Sequence, residues 1–135
     1  MLVDAGPLIA LFDEDDRNHA RCMTFVLGLP LSPLYTTWSC LTEAMYLLNG
    51  IGGYRYQERL WRILRDGRLQ IFEISIADIR RMDDLMAKYQ DVPMDLADAS
   101  LIAIAESHKF TRIFTIDSDF YIYRLTDGSI LQPVP

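Results

Sequence analysis

Six acidic residues of this chain occupy positions at which a carboxylate could take part in chemistry. They are Asp4, Glu43, Asp95, Asp98, Asp117 and Asp119. Asp4 directly follows Leu2 and Val3, an apolar pair typical of a short buried strand, and Asp117 follows the β-branched and aromatic run at residues 112–116. In open α/β sheets, ligands bind just outside the carboxyl ends of the strands. We therefore predict that Asp4 forms the floor of a metal site and that later acids are brought to it.

Two further acids lie within long apolar segments that are predicted to be buried helices. Glu43 is the only charged residue in residues 22–54, and a carboxylate is almost never fully buried without a partner. We interpret Glu43 as a site residue, with pairing to a distant arginine or contact with solvent as the alternative. Asp98 lies one turn inside a helix that is apolar from there to Glu106. For Asp98 a site role is favoured. For Asp95, at the start of that helix, capping is favoured.

A predicted helix from Tyr54 to Asp66 carries a basic face. Its arginines recur every three or four residues, at Arg55, Arg59, Arg62, Arg65 and Arg68. Another face of the same helix is apolar. Two interpretations remain open, because amphipathic helices commonly place arginine outside. The basic face either meets solvent or a partner protein, or it contacts phosphate groups.

The elements that must position the acids alternate between strands and helix pairs. The predicted order, β-α-α-β-α-α-β-α-α-β-β, indicates an α/β fold whose central, mainly parallel sheet of about five short strands is covered by helices on both faces. With the first strand central and the fourth beside it, Asp4 and Asp117 would face each other across the switch-point crevice, flanked by Glu43 and Asp98. The glycine-rich segment 49–53 is predicted to end the preceding helix near Leu48.

Composition limits the classes of protein that the chain can belong to. A length of 135 residues fits one domain, residues 1–135, and half of the residues are hydrophobic. The two cysteines form no C-x-x-C pair, and the amino terminus does not resemble a signal peptide, so we expect a cytoplasmic protein with no membrane segment. The formal net charge of −6 argues against nucleic-acid binding unless a bound cation changes the local field.

Four sequence motifs carry a family resemblance that spans essentially the whole chain. In chain order they read V-D-A-G-P-L-I-A-L, T-T-W-x-x-L-T-E-A, M-D-L-A-D-A-S-L-I-A-I-A-E and T-I-D-S-D-F. Together they resemble the acidic motifs of PIN-domain ribonucleases, in particular the VapC-type toxins of bacterial and archaeal toxin–antitoxin pairs. The resemblance implies a PIN-like three-layer α/β/α fold and cleavage of RNA that leaves 5′-phosphate and 3′-hydroxyl ends.

The resemblance also implies roles for the acids. The family's catalytic, metal-binding acids correspond to Asp4, Glu43, Asp98 and Asp117, and the accessory ligands to Asp119 and Asp95. Two carboxylates about 4 Å apart repel by roughly 4 kcal/mol at an effective dielectric constant near 20, so four together stay ionised only around a cation. Hard oxygen ligands select Mg²⁺ or Mn²⁺, and we expect one or two such ions. The bound cation would also offset the acidic field.

The family further implies an RNA substrate, a homodimer, and an antitoxin whose peptide inserts an arginine or blocks the acidic groove. One position departs from the family pattern. Many relatives have a hydroxyl residue directly after the first Asp, whereas this chain has Ala5 and Gly6. A hydroxyl hydrogen bond to Asp4 is therefore not expected from that position.

Other functions fit the sequence less well. A phosphatase with an aspartate nucleophile needs a second Asp two positions after the first, where Gly6 stands. A phospho-receiver domain needs an acidic pair near the first strand and a lysine after a late strand, and no lysine follows Lys109. A non-catalytic PIN-like module, acting through protein or RNA contacts, is the remaining alternative. Metal titration distinguishes it from a nuclease, because a binding module does not need four converging acids.

Overall fold

Five short strands form one sheet in the computed structural model, which describes residues 1–135. The strands are β1 (Leu2–Val3), β2 (Leu34–Thr37), β3 (Leu69–Phe72), β4 (Arg112–Phe114) and β5 (Gln132–Val134). Their spatial order is β3-β2-β1-β4-β5, and every neighbouring pair is parallel. The predicted central parallel sheet is confirmed, with β1 in the middle and β4 beside it.

Six α-helices connect the strands. They are α1 (Ala5–Phe12), α2 (His19–Leu27), α3 (Trp38–Gly52), α4 (Tyr54–Arg65), α5 (Ile76–Lys88) and α6 (Leu96–His108), and a short 3₁₀ turn covers Ser118–Tyr121. The chain moves outward from β1 to β3 and then crosses back to β4, so right-handed crossovers put α1–α4 on one face and α5–α6 on the other. None of the helices combines the length and hydrophobicity that a bilayer crossing requires.

The order in which strands are added to the sheet reverses between β1 and β4: β2 and β3 lie on one side of β1, and β4 and β5 lie on the other. Leu2 lies opposite Ile113 and Val3 opposite Phe114, and the Asp4 amide donates to the Phe114 carbonyl at 3.0 Å. The four strand residues belong to the fully buried core. Because the strands are parallel, their carboxyl ends open on one edge of the sheet, and a crevice forms where the helices diverge to opposite faces.

Gly6 lies at a close contact between α1 and the segment that follows β4. It lies inside the first turn of α1, which begins directly after Asp4. A Cβ at Gly6 would lie 2.9 Å from Cγ1 of Ile116, two residues beyond β4. The small residue therefore allows α1 to pack closely against the chain that leaves the neighbouring strand.

Two predictions about helix α3 were wrong. The segment 49–53 does not end the helix near Leu48: α3 continues through Gly52, and only Gly53, with φ +69°, terminates it. The helix is also not buried all round, since Trp38 is 49% exposed and Tyr46 78% exposed. One side of α3 packs on α1, α4 and α6, and no further layer covers its outer side.

Helix α6, which carries Asp98, is fixed to α5 by polar contacts. The buried carboxylate of Asp78 accepts hydrogen bonds from the Ser75 amide and hydroxyl on one oxygen and from the Ser107 hydroxyl on the other. One turn further along, Arg81 makes a two-pronged ion pair with Glu106 at 2.7 and 2.9 Å. These bonds fix the register of α6, the helix that carries Asp98, against α5.

Candidate active site

Asp4 lies at the carboxyl end of the central strand and is 8% exposed. It caps α1, because its Oδ1 accepts a hydrogen bond from the Ala5 amide at 2.6 Å. Its Oδ2 accepts a hydrogen bond from the Thr115 hydroxyl at 2.8 Å. Burial, together with repulsion by Glu43 and Asp117, outweighs the hydrogen bonds from Thr115 and Ala5 and raises the pKa of Asp4 to about 6.

Asp98 lies in the first turn of α6 and is 7% exposed. Its Oδ2 accepts a hydrogen bond from the phenol of the fully buried Tyr123 at 2.9 Å. The pKa of Asp98 is raised to about 7, first by burial and then by repulsion from Asp95, Asp4 and Asp117. The charge of Asp4 therefore acts on Asp98, although the two acids lie far apart in the sequence.

Asp117 follows β4 and is half-buried. Its amide donates to the Thr115 hydroxyl at 3.0 Å, and its Oδ1 accepts a hydrogen bond from the Asp119 amide at 2.9 Å. Thr115 thus links Asp117 to Asp4 through one oxygen atom, across the switch point. Burial and the contact with Asp98 raise the pKa of the Tyr123 phenol, and repulsion by Asp119 and Asp117 adds to this, so Asp119 lies near this group of acids.

Glu43 differs from its prediction. The sequence predicts burial within an apolar helix, but Glu43 lies on the uncovered part of α3 and is exposed. Partial desolvation still raises the pKa of Glu43, and repulsion by Asp95 and Asp117 adds to the effect. Glu43 therefore faces the same crevice from its rim. Asp95, also exposed, caps α6 by accepting a hydrogen bond from the Asp98 amide at 2.8 Å, as predicted.

Two neutral residues that sequence reasoning missed hold the buried acids in place. Thr115 supplies a hydroxyl bond to Asp4, which Ala5 and Gly6 cannot provide. A signal for it existed, since residues two apart in an extended chain point to the same side, and Thr115 precedes Asp117 by two. Tyr123 had no such signal, because its contact with Asp98 depends on the path of the chain after the 3₁₀ turn.

Comparison with known proteins assigns the chain to one family. The family model for the PIN domain matches residues 1–125. The chain belongs to the PIN-domain family. The resemblance predicted from the four acidic motifs is thereby confirmed. Among curated relatives of this PIN domain, ribonuclease VapC26 of Mycobacterium tuberculosis is 25% identical over 117 residues, which are 87% of this chain and 86% of that protein.

Solved structures also resemble this PIN domain. The crystal structure of Mycobacterium tuberculosis VapC20, a sarcin–ricin loop cleaving toxin, superposes with a TM-score of 0.82 over 90% of this chain and 92% of that chain. At 17% identity, this match supports the fold alone. A toxin–antitoxin complex from Klebsiella pneumoniae matches with a TM-score of 0.59 and 25% identity over 88% of each chain.

The donor set of this PIN domain suits a hard divalent cation, since all of its ionisable groups are carboxylates. No three Asp, Glu, His or Cys side chains are already grouped closely enough to hold a metal ion. Asp4 caps α1 and Asp98 lies in the first turn of α6, so the backbones of both acids are held at the starts of helices.

Thr115 provides the first test of how this PIN domain is organised. Replacing Thr115 with valine removes the donor to Asp4 and the acceptor for the Asp117 amide, so both acids lose a fixed orientation. We expect the initial rate of RNA cleavage to fall about 10- to 100-fold, as is typical when partners of ligating groups are removed. Thr115→Ser keeps the oxygen and should retain most of the activity. Equal rates for the two variants would contradict a positioning role.

Proposed function

We propose that this chain is a metal-dependent endoribonuclease. Asp4, Asp98 and Asp117, together with Glu43, would hold one or two Mg²⁺ or Mn²⁺ ions, with Asp119 and Asp95 as accessory groups. The observation that carries the proposal is a group of mutually repelling carboxylates that contains two buried acids. No salt bridge of the protein neutralises this group, since all of the ion pairs involve Glu58, Asp66 or Glu106. A cation from outside the chain would offset this repulsion and keep the carboxylates ionised.

The residues of the chain would prepare the site for phosphodiester hydrolysis. Thr115 and Tyr123 hold one oxygen each of Asp4 and Asp98 and leave other lone pairs of those carboxylates available. A carboxylate of the group would accept the proton of the attacking water. The bound cation would lower the pKa of that water and stabilise the leaving 3′ oxygen. The products would carry 5′-phosphate and 3′-hydroxyl ends.

The named relatives support RNA as the substrate and a toxin as the biological role. VapC26 is a ribonuclease, and it matches most of this chain in sequence. The toxin–antitoxin complex from Klebsiella pneumoniae supports a protein partner of the antitoxin class for the present chain. We also place the protein in the cytoplasm, in agreement with its two free, buried cysteines, Cys22 and Cys40.

Two apolar surfaces support the proposed protein partners. A groove of about 690 Å³ lies between α1, α2 and the loop after α2, and Leu27 and Leu31 at its rim are strongly exposed. We propose that the antitoxin contacts this groove, while its peptide inserts an arginine or blocks the acidic groove. The outer side of α3 exposes Tyr46, Leu47 and Ile51, and we assign it to a homodimer contact. Contiguous exposed apolar side chains of this kind mark interaction sites in proteins.

The experiment that tests the nuclease proposal is a metal titration. Purified protein stripped of metal should not cut single-stranded RNA, and micromolar to millimolar Mn²⁺ or Mg²⁺ should restore cutting, because the carboxylates require a cation to act. EDTA should stop the reaction, and an excess of Mn²⁺ should restart it. Product ends are read by sensitivity to a 5′-phosphate-dependent exonuclease. RNA or protein binding without cleavage in any metal would instead indicate the non-catalytic PIN-like module.

A further inference from the structure

The exposed face of α4 and the turn after it concentrate positive charge. Five of the thirteen lysines and arginines of the chain lie here, at Arg55, Arg59, Arg62, Arg65 and Arg68. Residues 54–68 contain only two acids, so this segment has a net charge of +3 in a chain whose total is −6. The rest of the protein is therefore strongly acidic, and this face is an isolated cationic surface.

The guanidinium groups of this face are only partly engaged within the protein. Glu58 is the only acid on α4, and it accepts from both Arg62 and Arg65, at 3.1 and 2.8 Å. Those two arginine side chains nevertheless remain 62% and 60% exposed. Arg55 and Arg59 stack over the ring of Tyr56, with 5.1 and 4.9 Å between guanidinium carbon and ring centroid. Most of the donors of these arginines thus point to solvent.

Aromatic side chains are interleaved with the arginines. Tyr54 is 67% exposed and Trp61 is 40% exposed. They are seven residues apart, which places them on one side of the helix two turns apart, and Arg65 follows Trp61 by one further turn. Exposed aromatic rings beside a cationic groove are the surface on which single-stranded nucleic acids stack their bases, because every base has a π-face.

Arg59 joins the cationic face to helix α1, at the end of that helix away from Asp4. Nη1 of Arg59 donates to the carbonyl of Phe12, the last residue of α1, at 3.1 Å. Helix α1 begins directly after Asp4 and has eight residues, so its two ends are about 12 Å apart. An RNA strand that contacts both Arg59 and the site at Asp4 would have to span about the length of α1.

We propose that the arginine–aromatic face of α4, made of Tyr54, Arg55, Arg59, Trp61, Arg62 and Arg65, binds single-stranded RNA and holds it while a neighbouring phosphodiester enters the acidic pocket. The inference rests on the proposed nuclease function. The carboxylates of the pocket repel a polyanion before a cation binds there, and a cationic surface elsewhere on the protein would add favourable binding free energy along the RNA strand. Arginine and aromatic rings also occur in protein interfaces, but the excess positive charge favours RNA as the occupant.

Binding measurements in an uncleaving background test this proposal. The Asp4→Asn protein is titrated against a fluorescein-labelled single-stranded RNA of mixed sequence, by anisotropy, over a series of salt concentrations. Arg55→Gln, Arg62→Gln and Arg65→Gln are combined in one variant. The matched control combines Arg17→Gln, Arg80→Gln and Arg112→Gln, which removes the same charge from residues outside the face.

The α4 triple variant should bind roughly tenfold or more weakly, and its salt slope should fall by about 0.7 for each phosphate that the variant no longer neutralises. The control should change the affinity much less. A third variant, Glu58→Gln, should tighten binding several-fold, because it releases Arg62 and Arg65 and adds to the positive charge. Circular dichroism and thermal melting establish that each variant is folded.

These binding experiments use the Asp4→Asn protein, whereas the nuclease proposal is tested by cleavage with the intact protein. The two proposals can therefore fail separately. Equal affinities and equal salt slopes for the two triple variants would overturn the RNA surface and leave the face to a protein partner, even if the intact protein cuts RNA. The absence of RNA binding at low salt would overturn it as well. A weakening confined to the α4 variant would support the surface, even if the intact protein cut no RNA in any metal and the nuclease proposal failed.

Discussion

Asp4→Asn is expected to reduce RNA cleavage by roughly a thousandfold or more in the presence of Mn²⁺. The change replaces a carboxylate at the floor of the pocket with a neutral amide of the same shape, so the proposed ligand charge is lost. The fold should persist, because the amide oxygen can still accept from the Ala5 amide and cap α1. The initial rate on a labelled single-stranded RNA measures the effect.

A matched control for this prediction is Asp83→Asn, since Asp83 is exposed on α5 and outside the acid group. It should leave the rate unchanged. The Asp4→Asn protein should also bind Mn²⁺ more weakly by calorimetry, a measurement that does not depend on turnover. Undiminished cleavage by a folded Asp4→Asn protein would remove Asp4 from the mechanism.

The second large effect is on stability, and its sign follows from the raised pKa values. Asp4 and Asp98 have pKa values of about 6 and about 7 in the folded protein but near 3.8 when unfolded. Above about pH 4 the unfolded state therefore binds fewer protons, so the free energy of unfolding of the metal-free protein should fall as the pH rises. The free energy of unfolding should stop falling near pH 8, which is above the folded-state pKa values of both acids.

The expected size of this effect is several kcal/mol. Each pKa unit corresponds to about 1.4 kcal/mol, so the shift at Asp98 costs about 4 kcal/mol at pH 8. Asp98→Asn removes this cost and should stabilise the metal-free protein at pH 8 but not at pH 4. Asn can still accept a hydrogen bond from Tyr123, so the packing around position 98 is preserved.

Urea denaturation at a series of pH values measures this prediction. Asp83→Asn again serves as the control and should keep the pH dependence of the native protein. Mn²⁺ should stabilise the native protein more at pH 8 than at pH 5, because protons compete with the metal for the same oxygens. A metal-free native protein that gains stability between pH 5 and pH 8 would contradict the assigned burial of the two acids.

Some features of this protein follow from the sequence alone. The placement of Asp4 and Asp117 across one crevice was predictable, because an acid after a short apolar run stands at a strand end, and parallel strands end on the same edge. The family resemblance depended on the same local motifs. The strong α/β alternation likewise predicted the parallel sheet, since hydrophobic periodicity and turn residues are local signals.

Other features were decided only by tertiary packing. Glu43 lies on a helix whose apolar composition predicts burial, but whether a helix face is covered depends on the presence of another layer, and α3 has none outside it. The contact from Tyr123 to Asp98 joins residues 25 apart through a 3₁₀ turn that no periodicity foretells. The raised pKa values of Asp4 and Asp98 have the same origin, because desolvation and repulsion depend on distances in space rather than along the chain.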